Sequence, residues 1–80
     1  MSTNYDLKYT TKDIGNHIIK LRVQKKMSSY KLAVRCNMNP SVLMRIEKGE
    51  REPYLTTFLR ILEGLEITPI IFFESIDTEM

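Results

Sequence analysis

The residues of this chain best suited to chemistry lie between Ser28 and Glu50, in the run SSYKLAVRCNMNPSVLMRIEKGE. The run reads as a short helix, a tight turn and a second short helix whose outer face carries Arg45 and Lys48. Two helices at a fixed angle, one with an exposed polar and basic face, are the geometry that places side chains in a DNA major groove. The guanidinium of Arg45 is the first choice for a base contact, since it gives two parallel hydrogen bonds to guanine O6 and N7, worth about 1–3 kcal/mol of discrimination. It lies a turn beyond the helix start, so a phosphate contact and a structural ion pair are its other readings. Ser41 hydrogen-bonds a base edge or a phosphate. Met44 meets a thymine methyl or simply faces solvent, and Pro40 on the same face has no donor to offer. Lys48 and Arg51 stand at the helix exit, within reach of the DNA backbone or an adjacent base. Ser28 and Ser29 open the first of the two helices, where backbone N–H groups and the helix dipole favour phosphate. Lys31 and Arg35 are phosphate contacts or ordinary solvated charge.

No catalytic constellation competes with this reading. The chain has one cysteine, Cys36, and one histidine, His17, with no evident partner for either in so small a body. Cys36 reads as a buried small hydrophobe, with a redox role as the alternative. One cysteine forms no internal disulfide and no metal-ligand spacing, so no metal site or cofactor is expected; no ligand-binding domain is read in the sequence, so no small-molecule ligand is expected either, and the chain is not expected to be an enzyme.

Positioning the run requires helices on both sides of it. Thr10 or Thr11 caps a first helix from Lys12 to about Lys26, whose inward set is Ile14, Ile18 and Leu21, flanked by Ile19 and Val23. Ser28 caps the second, with Leu32, Ala33 and Cys36 inward. Asn37 ends it in a left-handed position, Met38 turns inward, Asn39 caps the third helix and Pro40 takes its first position. The third helix, roughly Pro40 to Lys48, buries Leu43 and Ile46 and closes at Gly49. A fourth helix beyond Pro53 is expected to bury Leu55, Phe58, Ile61, Leu62 and Leu65. After a break at about Glu66, Thr68 caps and Pro69 opens a short fifth helix, Ile70 to Ser75. The expected architecture is all-α: a compact five-helix domain over 12–76, preceded by a loosely packed or flexible arm at 1–11 and followed by a ragged end at 77–80.

Size and charge place limits on what this body does. A chain of 80 residues buries only about 60–65% of its unfolded surface, so a partner subunit would help. Ile67, Ile70, Ile71, Phe72 and Phe73 put large apolar groups on more than one face of a short helix, and a self-complementary twofold contact through Ile67, Ile70, Ile71 and Phe73 is the expectation; complete packing into the monomer is the alternative. Net charge is +2, yet residues 12–51 hold ten Lys/Arg against three acids, and residues 52–80 hold Arg60 against six. A body polarised in this way suits phosphate on one side and another partner on the other. No apolar run approaches a membrane span and the start has no signal-peptide core, so the chain reads as cytoplasmic with no membrane partner.

Four pieces in order, IGNHIIKLR at 14–22, SSYKLA at 28–33, RIEKG at 45–49 with Pro53 following, and LEGLEITPIIFF at 62–73, resemble the Cro/repressor-type (XRE-like) helix-turn-helix family over nearly the whole chain. The resemblance implies a lambda-repressor-like DNA-binding domain that binds double-stranded DNA as a homodimer on a partly palindromic operator and regulates transcription. By size and ending, the chain is most similar within the family to restriction–modification controller proteins, with regulators of phages or conjugative elements as near alternatives. The resemblance also puts a partly buried ion pair at Arg22 and Glu47, between the first and third helices. Two positions depart from the pattern: Ser29 and Pro40 stand where the family often has glutamine. A protein-interaction module of the antitoxin type is the competing function, using the acidic second half to hold a partner protein.

Overall fold

The computed structural model describes residues 8–79 and contains five helices: α1 (Thr11–Gln24), α2 (Ser29–Arg35), α3 (Pro40–Glu47), α4 (Leu55–Leu65) and α5 (Pro69–Glu79). The described part of the expected 1–11 arm is therefore only 8–11, and the rest of that expectation lies outside the described residues. α1 starts where a reciprocal cap forms: the Thr10 hydroxyl accepts from the Asp13 N–H, and the Asp13 carboxylate accepts from the Thr10 N–H. It ends two residues earlier than the periodicity suggested, because Lys26 takes a left-handed backbone (φ 57°) and Met27 folds back, its N–H donating to Arg22 O at 3.0 Å.

The core gathers Ile18 and Leu21 from α1, Leu32 and Ala33 from α2, Leu43 and Ile46 from α3, four large side chains of α4, and Phe72 and Ile76 of α5. Phe72 packs edge-on against both Phe58 (centroids 5.1 Å apart) and His17 (4.9 Å), which fixes α5 on α1 and α4. At Gly15 α1 lies close against α3: a Cβ there would overlap the carbonyl oxygens of Ile46 and Glu47.

Two expectations are corrected. Leu55 is not in the core; it is 71% exposed, and in this part of α4 Phe58 is the buried apolar side chain. The helical end does not fray after Ser75. α5 continues to Glu79, since Ile76 is buried and Asp77 is held by Lys8 (2.6 Å) and by the Tyr9 hydroxyl.

Candidate nucleic-acid interface

The turn between α2 and α3 is built from local hydrogen bonds. Asn37 reverses the chain at φ 55°, and Met38 N–H returns to Ala33 O at 2.9 Å. Asn39 then caps α3 with a single oxygen: its Oδ1 accepts from the Ser41 N–H at 2.8 Å and from the Ser41 hydroxyl at 2.7 Å. Pro40 occupies the first helical position, where its missing N–H costs nothing. From there α3 turns Leu43, Ile46 and Glu47 inward and leaves Ser41, Met44, Arg45 and Lys48 exposed, with Pro40 and Val42 half-buried at the edge.

An ion pair fixes the position of this helix. Arg22 Nε donates to Glu47 Oε2 at 2.8 Å and its Nη2 to Glu47 Oε1 at 3.2 Å, while Nη1 donates to Met27 O at 3.0 Å. Glu47 is 4% exposed, so the carboxylate takes all its compensation from this fork. One guanidinium thus joins α1, the loop before α2, and α3, and the exposed face of α3 is held by a planar two-bond contact rather than by apolar packing alone.

The residues expected at the DNA backbone are not equivalent in the structure. Ser28 caps α2, its oxygen accepting from Lys31 N–H at 3.0 Å. Ser29 Oγ is buried and has no hydrogen-bond partner among the described residues, so in this arrangement it faces the protein and not an approaching phosphate. Lys31, Lys48 and Arg51 are exposed. Arg35 donates to Glu66 at 2.8 Å, so any phosphate competes with a carboxylate already in place. Two polar groups near this face were not singled out from the sequence. Asn39 reads as a cap alone until its hydrogen bonds are traced, and Arg60 comes from α4 to line a groove with Asn37, Asn39 and Arg51. Nothing local to Arg60 signals that placement.

A second, apolar surface lies on α4 and α5. Ile70 is 70% exposed and Ile71, Phe73, Leu55 and Leu59 are also exposed. Phe73 leans on Phe58 (5.9 Å) and so joins the α5 residues to those of α4. Ile67 packs partly into the core of its own chain. Leu55 and Leu59 are the members missed in the sequence; the signal was the breadth of the apolar stripe on α4, wider than one buried face requires.

The two groups that could have carried other chemistry are engaged in packing. Burial pushes the Cys36 thiol up, away from the reactive thiolate, and its sulfur lies against Gly64. His17 Nε2 meets Ser75 Oγ at 2.6 Å beneath Phe72. Among the described residues, no cluster of three His, Cys, Asp or Glu is placed to hold a metal, and no helix is long and apolar enough to cross a membrane.

The helix-turn-helix family profile matches residues 18–72, more than half of the chain. The fold is similar to that of the restriction–modification controller protein C.Esp1396I. The wild-type structure superposes with a TM-score of 0.83 at 26% identity, covering 91% of this chain and 94% of that one. The C.Esp1396I tetramer in complex with its natural 35 base-pair operator gives 0.84 at 26%, covering 91% and 96%. A point mutant of the same protein gives 0.84 at 26%, covering 92% and 94%. No curated protein sequence matches the chain.

Proposed function

Because the chain belongs to the helix-turn-helix family of DNA-binding regulators, we propose that it is a homodimeric, sequence-specific transcriptional regulator of the controller-protein type, with α3 as its recognition helix. The observation that carries this reading is the outer face of α3: Ser41, Met44, Arg45 and Lys48 are all exposed on a helix whose inner face is buried and clamped through Glu47. Arg45 makes a base contact, with guanine as the natural partner of its fork. Lys31, Lys48 and Arg51, together with the hydroxyl of Ser28, engage phosphates and set the register. The apolar surface of Leu55, Leu59, Ile70, Ile71 and Phe73 joins two protomers, so that two α3 helices address two half-sites. The operator-bound C.Esp1396I tetramer, alike in fold over nearly its whole length, supports the same class of target.

Selection of bound sequences from a random duplex pool tests this, run with the wild type and with Arg45→Ala. The expected result is a twofold-symmetric site whose specificity relaxes at one base pair per half-site in the variant. Recovery of no preferred sequence by folded protein at moderate salt would overturn it, and the apolar surface would then mark a partner-protein module instead.

A further inference from the structure

From the cap of α3 we infer that Ser41 reads DNA as an acceptor only, and that Asn39 is the positioning residue that locks it so; the inference rests on the proposed recognition role of α3. The donor and acceptor roles follow without ambiguity. The Ser41 backbone N–H only donates, so the Asn39 atom it meets at 2.8 Å is the amide oxygen and the flip of that amide is fixed. The Ser41 hydroxyl lies 2.7 Å from that same oxygen. An amide oxygen carries no proton, so the hydroxyl donates its only hydrogen to it. What Ser41 presents outward is a pair of oxygen lone pairs.

A base edge that satisfies those lone pairs must donate. In the major groove adenine N6 and cytosine N4 are donors, whereas guanine O6 and N7 and thymine O4 are acceptors. Serine is ordinarily a tolerant contact because its hydroxyl rotates to suit either kind of edge; here the rotation is spent on the cap. Ser41 therefore selects an amino-bearing base, adenine or cytosine, on the strand it faces. Arg45 lies four residues on along the same exposed face and demands the opposite, an acceptor edge, so each half-site pairs an acceptor-bearing base with an amino-bearing one. The Asn39 side chain is exposed, and its amide nitrogen, with two donors, has no partner among the described residues. It is left to approach a phosphate or a neighbouring acceptor.

The test is the same duplex selection, extended to Ser41→Ala, Asn39→Ala and Asn39→Asp, with helicity checked by circular dichroism. The position that changes in Ser41→Ala identifies the base facing Ser41. The expected wild-type preference there is adenine or cytosine over guanine or thymine by about fivefold. Asn39→Ala frees the hydroxyl and should admit all four bases at that position while the Arg45-dependent position keeps its guanine. Asn39→Asp still accepts both hydrogen bonds, so it should keep the adenine-or-cytosine preference even though its charge weakens binding overall; it also guards against misreading an uncapped helix. Guanine or thymine at the Ser41 position, or a specific site that Ser41→Ala leaves unchanged, would overturn the acceptor-only role while leaving the DNA-binding function standing. Failure of the wild type to select any sequence would overturn both.

Discussion

At the scale of single residues, exposure and burial on one short helix divide the work. Arg45 has no ion-pair partner among the described residues, so its fork is free to bond outside the chain. Arg45→Ala is expected to leave unfolding unchanged and to cost about tenfold or more in discrimination at one base pair, measured by competition with single-base operator variants. Arg22 and Glu47 behave oppositely. Removing one partner strands a charge in the interior, so Glu47→Ala is expected to lower unfolding free energy by about 3–5 kcal/mol in urea titrations. The double change Arg22→Met with Glu47→Leu should recover most of that loss, because the cost lies in the unpaired charge. If the single and double variants lose equally, the clamp is not the source of stability at that crossing.

At the scale of elements, close approach and terminal anchoring are what the helices require of one another. Alanine in a helix interior is ordinarily about 1 kcal/mol better than glycine. At Gly15 the sign reverses, since a Cβ there meets the backbone of α3, which has no rotamer with which to yield. Gly15→Ala is expected to destabilise by about 1–3 kcal/mol, seen as a lower melting temperature. The far end of α5 depends on charge. The hydrogen bonds from Lys8 and Tyr9 and the Lys8 charge hold the Asp77 carboxyl below its ordinary value of 3.8. A depressed carboxylate contributes stability above its unfolded pKa and loses it as pH falls through the folded one. The Lys8 ammonium is raised, mainly by the same hydrogen bond, so it stays charged through the neutral range. Amide exchange over Ile76 to Thr78 is thus expected to show no change in protection between pH 5 and 9 and a loss on acidification below the ordinary carboxylate value. Asp77→Asn should remove that acid transition.

At the scale of the whole molecule, the basic share of the chain and the exposed apolar surface come from different parts of the sequence. Residues 12–51 carry the excess of Lys/Arg, whereas Leu55, Leu59, Ile70 and Phe73 belong to the acidic remainder on α4 and α5. Ile70→Glu changes an exposed side chain, so folding should survive while sedimentation shows a monomer and operator affinity falls by roughly 100-fold through loss of the second half-site. A dimeric Ile70→Glu protein would place the interface elsewhere. Phosphate contacts have their own signature. Lys48→Gln is expected to weaken binding alike on all sequences and to reduce the salt slope by about one per protomer.

What the sequence determined is whatever acts within four or five residues. The reciprocal Thr10–Asp13 cap, the left-handed Asn37, the Asn39–Pro40 start of α3 and the Thr68 cap on Ile71 N–H are all closed by near neighbours, so their residue types announce them. The exposed face of α3 was equally legible, because helical period alone separates Leu43 and Ile46 from Arg45 and Lys48. Tertiary structure decided the rest. Arg35 meets Glu66 across 31 residues and Asp77 meets Lys8 across 69, and no local signal tells a free arginine from a held one or a frayed end from an anchored one. Leu55 carried the right residue type at the right period and is still exposed, since burial depends on what packs against a helix and not on the helix alone. The Ser41 hydroxyl lies between the two: its capping partner two residues back could be read from the sequence, but that both Ser41 donors meet one Asn39 oxygen is visible only once the cap is folded.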